Sequence, residues 1–257
     1  MNTCQDAWRW VASGKHPSIK DYISIGQMFP LAASFSEWMS KGYSEQKSRN
    51  TSRRGPCSWR FWVKGRKQNE LSCGLLKDSS DSIGRPYPLL AMGGGFLDDW
   101  EENWELVPLA CENIWTQMEK ITAHPFADVQ SIERELAALR PPLPQWFTFR
   151  KEYEKDLREN SSLSLSDVEL FCGKIRNLSE KKEGYIIFDP LSDCDIFNSV
   201  EFVEQVLKEN HVSTPSVIFI GGTVDMSCLA FFRRPLTVSD FSTLWSALPQ
   251  RQKIDTT

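Results

Sequence analysis

Apolar residues recur at intervals of three and four in three segments of the first half of the chain, which predicts amphipathic helices over 29–43, 103–121 and 127–140. Pro108 suits the first turn of a helix because proline has no amide donor, so we expect the second helix to begin near it. Strand-forming residues dominate four other segments: 7–12, 58–65, 71–78 and 85–92. Three consecutive glycines, 93–95, follow the last strand and predict either a flexible turn or a close backbone contact.

The second half of the chain follows the order α-β-α-β-β-α. Ser166 and Asn198 stand where caps are expected, each ahead of an apolar helical face. Three strands are predicted, the last two as a hairpin: 184–188, 216–222 and 226–232. Thr237 is expected to cap a final helix. Helices that alternate with few strands indicate a mixed α/β lobe and not a long parallel sheet.

A proline-rich and then highly charged region divides these two halves. The run RPPLPQW (140–146) cannot continue a helix, and a charged and serine-rich stretch follows it. We therefore predict an N-terminal α/β lobe (1–140), a connector (141–165) and a C-terminal lobe packed on the first (166–257). The predicted fold class is mixed α+β, with two α/β lobes that contain small mixed sheets flanked by helices.

Charge and cysteine usage restrict the partners that we expect. The net charge of −4 gives no broad attraction to nucleic acid or to anionic lipid. The seven cysteines stand singly, without CxxC or zinc-ligand spacing, and an odd number fits reduced thiols in the cytoplasm. The first residues lack the pattern of a secretory signal. Glycine and proline interrupt the most apolar run, 212–232, so we expect a hairpin and no membrane insertion.

Two segments contain side chains that could support chemistry. The stretch SGKHPSIKDY (13–22) lacks the preceding glycines of a phosphate loop, and Pro17 removes an amide, so a strand-to-helix turn is the favoured interpretation. His16 as the base of a small hydrolase remains an alternative. An acidic segment, FLDDWEENWE (96–105), is the other candidate, although a solvated segment anchored by Trp100 and Trp104 is favoured. We predict no metal and no cofactor.

Three short motifs occur in a fixed order in the N-terminal half. They are Gly14-Lys15-His16-Pro17 with Asp21-Tyr22, then Trp59-Arg60-Phe61, then Asp81-Ser82-Ile83-Gly84-Arg85 with Tyr87-Pro88-Leu89. This order resembles the TagF family, also called ImpM, of bacterial type VI secretion. The chain departs from the family pattern at three positions: His16 for leucine, Lys20 for glycine and Tyr22 for phenylalanine. The resemblance covers about residues 8 to 247 and selects these candidate residues: Gly14, Lys15, Pro17, Asp21, Tyr22, Trp59, Arg60, Asp81, Gly84, Arg85 and Pro88.

The resemblance implies a cytoplasmic, non-catalytic protein that represses type VI secretion after translation. It would act by binding the forkhead-associated scaffold protein of the secretion system. The resemblance also implies a mixed α/β fold with a longin-like N-terminal lobe. A longin-like adaptor unrelated to secretion remains an alternative. From the residues themselves, the motif positions could either support the fold, for example through an ion pair of Asp81 with Arg60 or Arg85, or contact a partner.

Overall fold

An eight-stranded sheet forms the centre of the part of the molecule that the structure describes. The computed structural model describes residues 8–48, 55–159, 181–188, 208, 213–223 and 226–246. The strands are β1 (Arg9–Lys15), β2 (Tyr22–Ile25), β3 (Cys57–Lys64), β4 (Glu70–Lys77), β5 (Leu89–Phe96), β6 (Glu183–Phe188), β7 (Val217–Thr223) and β8 (Met226–Phe232). They lie in the order β2-β1-β5-β4-β3-β7-β8-β6, and every neighbouring pair is antiparallel.

Helices cover both faces of this sheet. They are α1 (Pro30–Ser48), α2 (Val107–Ala123), α3 (Val129–Ala137), α4 (Trp146–Glu159) and α5 (Val238–Trp245), with a short 3-10 helix at Trp104–Leu106. The predicted start of α2 is confirmed, because Pro108 lies in its first turn. Helix α4 lies inside the segment predicted as a connector.

Two hydrophobic cores lie on opposite faces of the sheet. One core joins the sheet to α1 and α5 through aromatic side chains such as Phe35, Phe219 and Phe241. The other joins the sheet to α2 and α3 and includes Trp62 and Trp115. Alternate residues of a strand point to opposite faces, so the run Trp59-Arg60-Phe61-Trp62 supplies large side chains to both cores.

The mixed α+β class is confirmed, but its sheet differs from the small mixed sheets expected. Strands from both predicted lobes join one antiparallel sheet, because β3 pairs directly with β7, with Phe61 opposite Phe219. The domain boundaries themselves stay predictions. The helices expected after Ser166 and Asn198 lie outside the described residues, apart from Lys208.

The structure decides two local predictions, one about the glycines of 93–95 and one about the turn of 13–22. The three glycines form part of β5, and a Cβ on Gly93 would lie 2.1 Å from the ring of Trp10, so the close-contact alternative is correct. The strand-to-helix turn predicted for 13–22 is wrong. That segment joins β1 to β2 in an antiparallel hairpin, with Lys15 opposite Tyr22, and α1 begins only after β2.

Candidate functional site at two joined turns

The hairpin between β1 and β2 begins at a backbone position that only glycine fits. Gly14 has a φ of +130°, and a Cβ there would lie 2.1 Å from the carbonyl oxygen of Pro88. Close approach of the two backbones lets β1 pair with the first residue of β5, Leu89. This pairing brings Lys15 next to the turn that precedes β5.

Asp81 is the centre of that second turn, and its side chain is fully buried. Its Oδ2 accepts from Arg85 Nε at 2.6 Å and lies 2.9 Å from Lys15 Nζ. Its Oδ1 accepts backbone N–H groups of Ile83 at 3.2 Å and Arg85 at 2.9 Å. Burial raises the pKa of Asp81, but the hydrogen bonds from Lys15 and Arg85 lower it by more than burial raises it. The pKa therefore lies well below its ordinary value, and the carboxylate stays ionised.

Arg85 ties the two turns together. Its Nη2 donates to the carbonyl oxygen of Lys20 at 2.6 Å and lies 3.3 Å from Asp21 Oδ1. The backbone N–H of Ser82 donates to the carbonyl oxygen of Ile19 at 3.0 Å. Asp81 therefore organises its own turn and, through Lys15 and Arg85, the hairpin turn beside it. We call residues 14–22 and 81–88 together the turn cluster.

The turn cluster exposes two apolar side chains. Tyr22 is 47% exposed and Ile83 is 58% exposed. An aromatic series supports Tyr22 from beneath, because its ring lies 5.6 Å from Tyr87, and Tyr87 lies 5.1 Å from the buried Tyr43. The Tyr43 hydroxyl donates to the carbonyl oxygen of Pro86 at 3.0 Å. Each of these exposed side chains stands on a turn whose backbone is held by hydrogen bonds, so each can contact another protein.

Most predicted site residues fall in this cluster. The structure brings together Gly14, Lys15, Pro17, Asp21, Tyr22, Asp81, Gly84, Arg85 and Pro88. Of the two predicted ion pairs of Asp81, the one with Arg85 forms. Sequence reasoning did not select Ile83 as a site residue, although an isoleucine inside the polar turn DSIGR was a usable signal.

Trp59 and Arg60 lie away from the turn cluster. Trp59 is fully buried in the core beneath α1 and α5. Arg60 lies on the opposite face, where its Nη1 contacts Glu112 at 2.7 Å and its Nε contacts Glu119 at 2.8 Å, both on α2. The guanidinium also lies 5.8 Å from the ring centre of Trp115. These contacts join helix α2 to strand β3.

His16 supports the hairpin turn through both of its ring nitrogens. The side chain is buried, Nε2 lies 2.9 Å from the carbonyl oxygen of Ile121, and the backbone N–H of Ser18 donates to Nδ1 at 3.2 Å. This arrangement needs the neutral ring with its proton on Nε2. Burial accordingly lowers the pKa of His16. With both nitrogens engaged by backbone groups, the ring is not placed to act as a general base.

The acidic segment is held by cations and by its two tryptophans. Glu105 is buried and lies 3.0 Å from Arg150 and 2.6 Å from Lys208, while Glu101 pairs with Lys64. Trp100 and Trp104 are buried, as the favoured interpretation expected, but the expectation of a solvated segment is wrong at Glu105, which is buried. Within the described part of the chain, no three acidic, cysteine or histidine side chains are grouped so that they could hold a metal ion.

None of the helices in the described ranges combines the length and apolarity that crossing a membrane requires.

No curated protein matches the chain in sequence. In fold, the chain is similar to the crystal structure of PA0076 from Pseudomonas aeruginosa PAO1, with a TM-score of 0.52 and 13% identity. The superposition covers 94% of this chain and 96% of that one. Residues 12–140, half of the sequence, match the family described as the TagF N-terminal domain, type VI secretion system-associated. The chain therefore belongs to the TagF family of type VI secretion system-associated proteins.

Proposed function

We propose that this protein is a non-catalytic, cytoplasmic negative regulator of type VI secretion that binds the forkhead-associated scaffold protein of that system through the turn cluster. Membership of a secretion-associated family supports the accessory role. The observation that carries the proposed site is the exposure of both Tyr22 and Ile83 on two joined turns, which the buried Asp81 organises.

Rigid turns favour binding because little conformational entropy is then lost on association. The backbone beneath Ile83 is fixed by the hydrogen bonds to Asp81, and Tyr22 rests on Tyr87. Charged side chains lie on the same two turns, with Asp21 largely exposed and Arg85 half exposed. Exposed apolar side chains with charged neighbours are common at protein-binding surfaces.

The enzymatic alternative has less support. A hydrolase needs a nucleophile, a base and an orienting acid within reach of one another. His16 is occupied by backbone groups of Ile121 and Ser18, and Glu105 is neutralised by two cations. Both candidates therefore fit structural roles better than catalytic ones.

The proposal is tested by measuring binding to the purified scaffold protein with variants of exposed residues. Ile83→Asp and Tyr22→Ala should each weaken binding by about tenfold or more, as truncation of a central apolar contact does. Phe147→Asp is the matched control, because Phe147 is 74% exposed on α4, outside the turn cluster. Ile83 and Phe147 are each more than half exposed, and surface substitutions at such positions change the free energy of unfolding by about 0.5 kcal/mol or less, so these two variants should fold.

Secretion provides the functional measurement. Deleting the gene should raise effector secretion, and expression of the wild type or of Phe147→Asp should restore repression. Ile83→Asp should fail to restore it at equal protein level. If the purified proteins do not associate at micromolar concentrations, the partner is wrong. If Ile83→Asp binds and represses like the wild type, the surface is wrong.

A further inference from the structure

Among the described residues, no strand pairs with the outer edge of β6, the last strand of the sheet. Within the described residues β6 pairs only with β8, and it lies at the end of the strand order. Its sequence, EGYIIF, contains no proline or lysine, which are the residues that usually protect an edge. Ile187 is 53% exposed on this strand.

The hydrogen-bonding pattern shows which backbone groups point to the open edge. Arg233 N–H donates to the carbonyl oxygen of Lys182 at 2.8 Å, and the register of β6 with β8 places these two residues opposite each other. Bonded and non-bonded pairs alternate along an antiparallel ladder. The N–H and C=O groups of Glu183, Tyr185 and Ile187 therefore point away from β8, toward the open edge.

We propose that two copies of this chain associate through antiparallel pairing of their β6 edges, with the twofold axis at Ile186. In this register Tyr185 of one copy lies opposite Ile187 of the other. Both residues present their backbone groups outward, so each such pair exchanges both of its N–H···O bonds. The central sheets of the two copies then become continuous.

The side chains are complementary in the same register. Tyr185 and Ile187 lie on one face of the strand, so an aromatic side chain meets a β-branched one on both sides of the axis. Gly184 lies opposite Phe188 and offers no side chain that could clash with its ring. No charge faces a like charge over 184–188, because this part of the strand carries none; the same register would put Glu183 opposite position 189, an aspartate, so the proposed pairing is confined to 184–188.

The other edge of the sheet is protected, which favours β6 as the contact. Strand β2 has only four residues, whereas β6 has six. Exposed charged residues precede both strands, Lys20 and Asp21 before β2 and Lys181 and Lys182 before β6, so strand length is the difference between the two edges. A very short edge strand is a recognised means of preventing edge-to-edge association. Because β2 is the poorer edge for pairing, we expect β6 of one copy to pair with β6 of the other copy and not with β2.

Proline at position 187 tests the pairing directly. Ile187→Pro removes an N–H group that points to the open edge, so the bonds between β6 and β8 remain. Ile187→Lys changes only an exposed side chain, and it is the second test variant in case the proline variant folds poorly. Ile83→Lys, at a similarly exposed isoleucine in the turn cluster, is the matched control.

Sedimentation equilibrium of the whole chain over a range of micromolar concentrations provides the measurement. We expect the wild type and Ile83→Lys to form dimers, and both Ile187 variants to remain monomers with unchanged circular dichroism. A wild type that stays monomeric at every concentration overturns the proposal. Dimers that persist in folded Ile187→Lys overturn it as well, because the contact then lies elsewhere.

Discussion

Replacing Gly14 with alanine tests whether the first family motif is required by backbone geometry. Gly14 has a φ of +130°, which L-residues rarely adopt, and a Cβ would lie 2.1 Å from the carbonyl oxygen of Pro88 and 2.9 Å from the Cα of Leu89. These neighbours are backbone atoms at the start of β5, so they cannot move aside by a change of rotamer.

The expected loss of stability has two parts. A non-glycine residue in such a conformation costs about 1–3 kcal/mol. Relief of the contact with Pro88 requires a backbone shift, for which overpacking data indicate about 1–3 kcal/mol more. We therefore expect Gly14→Ala to lower the free energy of unfolding by about 2–6 kcal/mol, a large part of a typical domain's stability of about 5–15 kcal/mol.

Gly84→Ala separates these two contributions. Gly84 also has a positive φ, +82°, but nothing lies within 4 Å of a Cβ there. Its alanine variant should therefore lose only about 1–2 kcal/mol, from the strained conformation alone. Reversible urea unfolding of both variants gives the comparison. If Gly14→Ala is no less stable than Gly84→Ala, the reasoning about the contact with Pro88 is refuted.

Three further predictions concern buried groups. Burial lowers the pKa of His16 below its ordinary value of 6.5, so the unfolded chain takes up a proton at a higher pH than the folded chain does. The free energy of unfolding should therefore fall as the pH drops below about 6.5. The His16→Gln variant should lack this part of the pH dependence, and a pH profile equal to that of the wild type would contradict the role given to His16. Asp81→Asn should lower the urea midpoint far more than Asp21→Asn, because Asp81 is buried beside two cations and Asp21 is exposed. Equal midpoints would contradict the claim that Asp81 organises the turn cluster. Trp59→Ala should cost about 3–5 kcal/mol by calorimetry or urea unfolding, because the side chain is fully buried, and a loss below about 1 kcal/mol would contradict its place in the core.

Local elements of this fold could be predicted from the sequence because their causes are local. The spacing of Phe29, Ala32, Phe35 and Met39 follows the period of a helix that packs on a sheet, and Pro108 marks a helix start. The sheet order could not be predicted, because it depends on pairing between distant strands such as β3 and β7. The sequence left two roles open for the glycines of β5, a turn or a close contact. The aromatic rings that leave no room for a Cβ there come from distant positions such as Trp8 and Trp10.

The candidate site shows the same division. The motif residues could be selected from the sequence through a family resemblance. That Lys15 would contact Asp81 could not be predicted, because β1 and β5 first have to pair in the register set at Gly14. The role of His16 depended on the carbonyl group of Ile121, at the far end of α2, which no local pattern indicates. Contacts made across the sheet and to its helices therefore decide which reactive side chains are free to act.

Isothermal titration calorimetry of the purified pair tests whether the turn cluster binds the forkhead-associated scaffold protein. Wild type, Ile83→Asp and Phe147→Asp are compared under the same conditions. We expect the wild type and Phe147→Asp to bind with equal affinity, and Ile83→Asp to bind about tenfold more weakly or worse, a change of about 1.4 kcal/mol or more. Equal affinities for Ile83→Asp and wild type, or no heat of binding for any of them, would contradict the claim.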